Sequence, residues 1–83
     1  MRVIIDESIF LFLQENRIKI SQKLKMTTEY LKSNPRIYEM ITDEDNVRHF
    51  VINGIDFGYL IDDDTIIISD CVFVKSNVKL KVR

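Results

Sequence analysis

The stretch VRHFVINGIDFGYLIDDDTIIIS, residues 47–69, decides the fold that we expect for this chain. Apolar and polar residues alternate through residues 47–52, which is typical of a β-strand with one buried face. Asn53-Gly54 follows, and both residues tolerate the positive φ angles of a two-residue type I′ turn. Residues 55–61 are again rich in apolar and aromatic side chains. The stretch therefore predicts a β-hairpin.

Two further strands are predicted after this hairpin. Asp62–Asp64 is an acidic turn, and Thr65–Val74 is a long apolar strand. Gly58, inside the second strand of the hairpin, indicates a bulge or a close approach of another chain segment. Residues 78–83 alternate valine or leucine with lysine or arginine, which is typical of an edge strand. The result is an antiparallel meander of three or four strands.

The N-terminal part of the chain predicts one strand and a helical hairpin. Arg2–Ile5 is a short β-branched run, and Asp6 is placed to cap a helix that follows it. Residues 7–16 are apolar on so many sides that we expect them to be largely buried. A second helix, ended by Asn34-Pro35, is indicated by an apolar stripe at helical spacing. The stripe consists of Ile20, Leu24, Thr27 and Leu31. One bent helix in place of two helices remains an open alternative.

These elements give an α+β fold, in which the N-terminal strand and the helical hairpin pack on an antiparallel sheet of three to four strands. A chain of 83 residues has room for one core, so we expect residues 1–83 to form a single domain. Its composition, 46% hydrophobic and 30% charged, is that of a soluble globular protein. The apolar runs are shorter than the ~18 residues of a membrane span, and the one cysteine cannot form an intramolecular disulfide. We therefore expect a cytoplasmic protein.

Charge is unevenly distributed along the chain. Residues 1–38 carry seven Lys/Arg and four Asp/Glu, residues 39–70 carry one and nine, and residues 71–83 carry four basic residues and no acidic one. The net charge of −1 argues against a protein that binds nucleic acid mainly through its phosphates. The remaining alternatives are ordinary solvated surfaces, or a basic helix face and tail that bind an acidic partner.

Few side chains have the grouping that catalysis or metal binding requires. Asp62–Asp64 lacks the spacing of an EF-hand, and consecutive side chains in a turn do not converge, so we expect a solvated turn and no metal site. His49, the single histidine, is expected on the sheet surface. Cys71 is expected to be a small buried apolar residue. We expect no cofactor.

The cations of the predicted sheet are the best candidates for a binding site. Arg48 lies in the first strand of the hairpin, and neighbouring strands place it near the basic C-terminal residues. Those residues are Lys75, Lys79, Lys81 and Arg83. Such a patch suits a phosphate or a carboxylate-rich peptide, and scattered solvated charges are the alternative.

The order of elements and the hairpin stretch together resemble the RelE/ParE superfamily of toxins from type II toxin–antitoxin systems. VIIDES, residues 3–8, is similar to the opening strand and helix start of that family, and TTEYLKSNP, residues 27–35, to the end of its second helix. Residues 47–75 are similar to its strand, turn, strand, acidic turn and aliphatic strand. In this comparison Tyr59 takes the place of the central strand tyrosine.

The resemblance implies a cytoplasmic toxin that a cognate antitoxin neutralises, with two alternative mechanisms. As a ribosome-dependent mRNA endoribonuclease, the protein would use Arg48 and Lys75 to hold the scissile phosphate. As a non-enzymatic inhibitor, it would bind a protein target such as DNA gyrase through surface contacts. Asp56 stands near the place of a family arginine and would repel phosphate, which favours the non-enzymatic form.

The binding residues implied for the non-enzymatic form come from the sheet and from the C-terminal segment. They are Tyr59, Lys79, Lys81 and Arg83. A third alternative from another functional class is a binding module of a phage or mobile element that keeps this fold and is not toxic.

Overall fold

The computed structural model describes residues 1–38 and 47–74. These residues form one strand, then two helices, then three more strands. In chain order the elements are β1 (Arg2–Ile5), α1 (Glu7–Glu15), α2 (Ser21–Ser33), β2 (Val47–Ile52), β3 (Ile55–Asp62) and β4 (Thr65–Phe73). The predicted α+β fold with an N-terminal strand and a helical hairpin is confirmed. The predicted strand at residues 78–83 lies outside the described residues.

The four strands form one mixed sheet in the order β1-β4-β3-β2. The meander β2-β3-β4 is antiparallel as predicted. β1 joins the meander by running parallel to β4, with Val3 opposite Ile66 and Ile5 opposite Ile68, which makes the sheet mixed. The helical hairpin carries the chain from β1 to β2 at the opposite edge of the sheet, and β2 runs in the same direction as β1. The two reversals of the meander then bring β4 beside β1 in parallel.

α1 begins at the cap that the sequence predicts. The carboxylate of Asp6 accepts hydrogen bonds from the backbone N–H and the hydroxyl of Ser8. These hydrogen bonds lower the pKa of Asp6 from its usual 3.8, because they stabilise the charged form. Glu7 adds a second negative charge at the positive end of the helix dipole.

The helical segment is two helices rather than one bent helix. α1 ends at Glu15, and Arg17 has a φ angle of +55°, which a continuing helix does not allow. The Ile18 N–H donates to the carbonyl of Leu13 and closes the end of α1. α2 then runs from Ser21 to Ser33 and ends directly before Asn34-Pro35, as predicted.

The prediction that residues 7–16 are largely buried is wrong. Ile9 and Leu13 are buried, but Phe10 and Leu11 are half exposed, at 50% and 49%. α1 contacts the sheet with one face, and the described chain places no further element over its outer face. α1 therefore has more apolar side chains than its contact with the core buries.

The apolar stripe of α2 differs from the prediction at one position. Ile20, Leu24 and Leu31 are buried, and the fourth inward residue is Thr28 rather than Thr27. The Thr28 hydroxyl donates to the carbonyl of Lys25 at 2.8 Å, so the helix itself satisfies this buried polar group.

The core lies between the two helices and the face of the sheet that they cover. Its centre is aromatic: the rings of Phe50 and Phe57 stack with centroids 5.1 Å apart, and Tyr38 meets Tyr59 edge to face at 6.5 Å. Such pairs stabilise a core by roughly 0.5–1.5 kcal/mol beyond their buried area. This cluster supplies much of the packing of a small domain.

The turns of the meander follow their predicted chemistry. Asn53 and Gly54 have φ angles of +50° and +81°, as a type I′ turn needs. Asp63 also has a positive φ, of +55°, in the acidic turn. The register of β3 against β4 shifts between Gly58 and Tyr59, where Ser69 of β4 has no opposite residue. The predicted irregularity at Gly58 is therefore present, with the extra residue on β4.

Candidate functional site

Arg48 and Tyr59, the two predicted site residues in the described part of the chain, lie directly opposite each other on β2 and β3. Both side chains reach the segment that follows α2. The Arg48 guanidinium donates from Nη1 to the carbonyl of Tyr38 at 2.8 Å, and the Tyr59 hydroxyl donates to the carbonyl of Pro35 at 2.8 Å. The two residues thus fasten residues 35–38 over one end of the core.

Arg48 is half-buried, and part of its guanidinium is occupied by backbone carbonyls. Nη1 contacts the carbonyl of Arg36 at 3.5 Å in addition to that of Tyr38. A phosphate at Arg48 would compete with these carbonyls. The other members of the predicted basic patch, which are Lys75, Lys79, Lys81 and Arg83, lie outside the described residues. Phosphate binding by this patch stays a prediction.

Tyr59 is completely buried, with 0% of its surface exposed. A partner cannot contact it in this conformation, and a binding role for Tyr59 would require the segment at residues 35–38 to move away. Burial raises the pKa of Tyr59 above its usual 10.0, and the nearby positive charge of Arg48 lowers it by a smaller amount. In the structure Tyr59 is a neutral hydrogen-bond donor at the edge of the core.

The opposite face of the sheet carries His49 and Asp56. Nδ1 of His49 and Oδ1 of Asp56 are 3.1 Å apart, and both side chains are about one-third exposed. Asp70 lies close to Gly58 on the same face. A Cβ atom added at Gly58 would be only 2.6 Å from Oδ1 of Asp70. Within residues 1–38 and 47–74 no group of His, Cys, Asp and Glu has an arrangement that could hold a metal ion.

The remaining predicted polar features lie where solvent reaches them or where they contribute to packing. Asp62, Asp63 and Asp64 are all exposed in their turn, as predicted. Cys71 is half-buried rather than fully buried, and it packs against the core. Burial, together with the nearby charge of Asp70, raises the pKa of its thiol above 9.0 and makes it a poor nucleophile at neutral pH.

An apolar row crosses the sheet on the face that α1 and α2 do not cover, which we call the helix-free face. In the sheet register Ile4 lies opposite Ile67, Ile67 opposite Leu60, and Leu60 opposite Val47. The row therefore spans all four strands. Ile4 is 43% exposed, and the other three members are half-buried.

Two more apolar side chains extend the helix-free face beyond the row. Val51 and Val72 lie on either side of Asp56, and they are 54% and 52% exposed. Asp56 and Asp70 bring two carboxylates to this face, and Arg2, two positions before Ile4 on β1, brings one cation. An exposed apolar surface of this kind is typical of a protein-binding site rather than of a catalytic pocket.

Sequence reasoning missed the row across the helix-free face. Its four residues belong to four different strands, so the row exists only through the register between the strands. One signal was available: Ile66-Ile67-Ile68 is apolar without alternation, and such a strand presents apolar side chains to both faces of its sheet.

Comparisons with known proteins identify no relative of this chain. No protein-family model, no curated protein and no solved structure matches it. Neither α1 nor α2, the helices of the described residues, has the length and apolarity needed to cross a bilayer.

Proposed function

We propose that this protein is a toxin-like component of a type II toxin–antitoxin system, which arrests growth by binding a protein target such as DNA gyrase and which a cognate antitoxin neutralises. It acts in the cytoplasm and without catalysis. The assignment to a toxin–antitoxin system is based on the resemblance of the sequence to the RelE/ParE superfamily.

The observation that carries this proposal is the apolar row across the helix-free face. Exposed or half-buried apolar side chains on all four strands offer a partner a broad surface, and removal of these side chains from water favours association. The three most exposed members of the face, Ile4, Val51 and Val72, are available for contact without any rearrangement.

Two contacts favour this mechanism over cleavage of ribosome-bound mRNA. Asp56 places a carboxylate on the helix-free face, where it would repel the phosphates of RNA. Arg48 lies on the opposite face and donates to backbone carbonyls. A protein target tolerates both features.

The test is inducible expression in a bacterium with substitutions on the helix-free face. We expect the wild-type protein to stop growth, and the double variant Ile4→Lys/Val72→Lys to allow it. Both side chains are well exposed, so a retained circular dichroism spectrum is expected for the purified variant. Met26→Lys is the matched control, because Met26 is 64% exposed on α2, on the helix side of the sheet, and should leave the arrest unchanged.

The outcomes separate the three alternatives. Filamentation with broken DNA supports inhibition of gyrase, whereas mRNA cut within translated codons indicates the endoribonuclease. Normal growth on induction of the wild-type protein would overturn the toxin proposal in favour of a non-toxic binding module. Retained arrest in the folded Ile4→Lys/Val72→Lys variant would refute the helix-free face as the target surface.

A further inference from the structure

A group of polar side chains interrupts the apolar surface of the helix-free face, and we call it the polar strip. It consists of His49, Asp56 and Asp70. His49 on β2 and Asp70 on β4 lie opposite Gly58 from its two sides. Asp56 is the diagonal neighbour of both, and diagonal neighbours on one face of a sheet are ~7–8 Å apart. One long side chain of a partner can therefore reach all three.

The polar strip has apolar side chains on both sides. The apolar row crosses β3 at Leu60, whereas Val51 and Val72 lie beside Asp56. Leu60 and Asp56 are four positions apart on β3, which corresponds to about 13 Å at the rise of a strand. A partner that covers both apolar parts of the face therefore covers the polar strip as well.

Covering the polar strip removes two carboxylates from water. This opposes binding unless the partner supplies a positive charge or hydrogen-bond donors in place of the water. Nδ1 of His49 lies 3.1 Å from Oδ1 of Asp56 and can satisfy that one oxygen. Among the described residues no positively charged side chain forms an ion pair with Asp70, and Arg2 lies on the far side of the apolar row. The partner must therefore provide the missing charge.

The position of Asp70 favours one kind of cation. Because Gly58 has no side chain, the carboxylate of Asp70 lies close to β3, the strand that carries Asp56. The two carboxylates thus face the partner from neighbouring strands. A guanidinium has five N–H donors in one plane and can serve two carboxylates at once, whereas an ammonium group is a compact point charge. The arrangement therefore suits an arginine.

We propose that the helix-free face binds a target surface that carries an arginine within a patch of apolar side chains, and that this arginine pairs with Asp56 and Asp70. The apolar side chains around the arginine cover the apolar row on one side and Val51 and Val72 on the other. This inference rests on the proposed function and deepens it, because it states the chemistry by which the face recognises its target. An apolar surface without a cation would bury both carboxylates unpaired, so the polar strip also excludes such partners.

The experiment is an NMR titration of the ¹⁵N-labelled full chain, made by cell-free synthesis, with two designed helical peptides. Both peptides have leucines at positions i, i+1, i+7 and i+8. The first has arginine at i+4, and the second has citrulline, the uncharged isostere of arginine. In a helix these positions share one face and span about 12 Å, close to the separation of the two apolar parts of the helix-free face.

The arginine peptide should shift amide signals of β2, β3 and β4. We expect it to bind at least about fivefold more tightly than the citrulline peptide at low salt, because only the charged side chain replaces the water around the two carboxylates.

Two protein variants locate the charge that the arginine meets. In Asp56→Asn/Asp70→Asn both carboxylates become neutral amides of similar size, and the two peptides should bind within about twofold of each other. Asp63→Asn/Asp64→Asn is the matched control, because it removes the same charge from the exposed turn after β3. Asparagine tolerates the φ of +55° at Asp63, so this variant should keep the preference for arginine. Well-dispersed amide signals verify that both variants are folded.

Three results would overturn the proposal. Equal affinity for the two peptides, or no shift of any strand signal, would show that the face does not recognise an arginine. A preference retained in Asp56→Asn/Asp70→Asn would place the arginine elsewhere. A concentration-dependent dimer in sedimentation that Arg2→Ala abolishes would assign the polar strip to Arg2 of a second copy of this chain.

Failure of this inference differs from failure of the proposed function. Growth arrest that is lost in Ile4→Lys/Val72→Lys but fully retained in Asp56→Asn/Asp70→Asn would refute recognition of an arginine and leave the toxin proposal standing. A preference for the arginine peptide without growth arrest would keep this recognition and refute the toxin proposal.

Discussion

Arg48 and Tyr59 illustrate how one residue type serves binding in some proteins and packing in others. Each has a long apolar body and a polar tip, so each suits a position at the edge of a core. In this structure the tips reach the carbonyls of Tyr38 and Pro35. The sequence shows that the two residues are chemically suited to bind something, but their actual partners lie 10 and 24 positions away in the chain.

The hydrogen bond of Tyr59 can be tested by removing one atom. In Tyr59→Phe the carbonyl of Pro35 loses its 2.8 Å donor while the packing of the ring is retained. We expect the free energy of unfolding, measured by urea denaturation, to fall by about 1 kcal/mol. Tyr30→Phe is the control, because Tyr30 is 49% exposed and should change stability by less than about 0.5 kcal/mol.

Comparison of Tyr59→Phe with the wild-type protein also gives a pH test of burial at Tyr59. Its pKa in the folded state is raised above 10.0, so its contribution to stability is complete below that pH and is lost as the pH rises toward the folded pKa. Wild-type protein should therefore lose stability more steeply above pH 10 than Tyr59→Phe. Parallel curves for the two proteins would contradict a raised pKa at Tyr59.

The β2–β3 hairpin shows local sequence determining an element. Asn53-Gly54 closes it, and its ladder pairs Val47 with Leu60 through to Ile52 with Ile55 without a shift in register. All of these features follow from residues that are neighbours along the chain. The hairpin was therefore predictable almost to its last residue.

Gly54 supplies the sharpest test of this turn. A Cβ added there meets nothing within 4 Å, so a substitution is unfavourable only because φ is +81°. We expect Gly54→Ala to lower the free energy of unfolding by about 1 kcal/mol in a thermal or urea melt. Gly54→Asn should cost clearly less, because asparagine tolerates this conformation. Equal losses in the two variants would argue against a backbone origin.

α1 shows the opposite case, in which local sequence misleads. Its apolar residues suggested a buried helix, yet Phe10 and Leu11 are half exposed. Burial depends on how many neighbouring elements surround a helix, and hydrophobicity alone does not report that number.

The domain as a whole is stabilised by a small core centred on Phe57, which is 0% exposed. At roughly 0.05–0.15 kcal/mol per residue, its free energy of unfolding is about 4–12 kcal/mol. Phe57→Ala should remove about 3–5 kcal/mol of this and shift the urea midpoint strongly downward or abolish the cooperative transition. Val72→Ala, at a 52% exposed position, should change stability by less than about 0.5 kcal/mol. A Phe57→Ala loss below about 1 kcal/mol would mean that the core lies elsewhere.

The sequence by itself determined the local features of the fold. These are the type I′ turn at Asn53-Gly54, the cap at Asp6, the helix end before Pro35 and the alternation of β2. Each depends on φ and ψ preferences and on side chains a few positions apart, and these are local properties. The parallel pairing of β1 and the row from Ile4 to Val47 could not be predicted from the sequence. They arise where distant segments pack together, and packing is settled by register and by the shape of the common core.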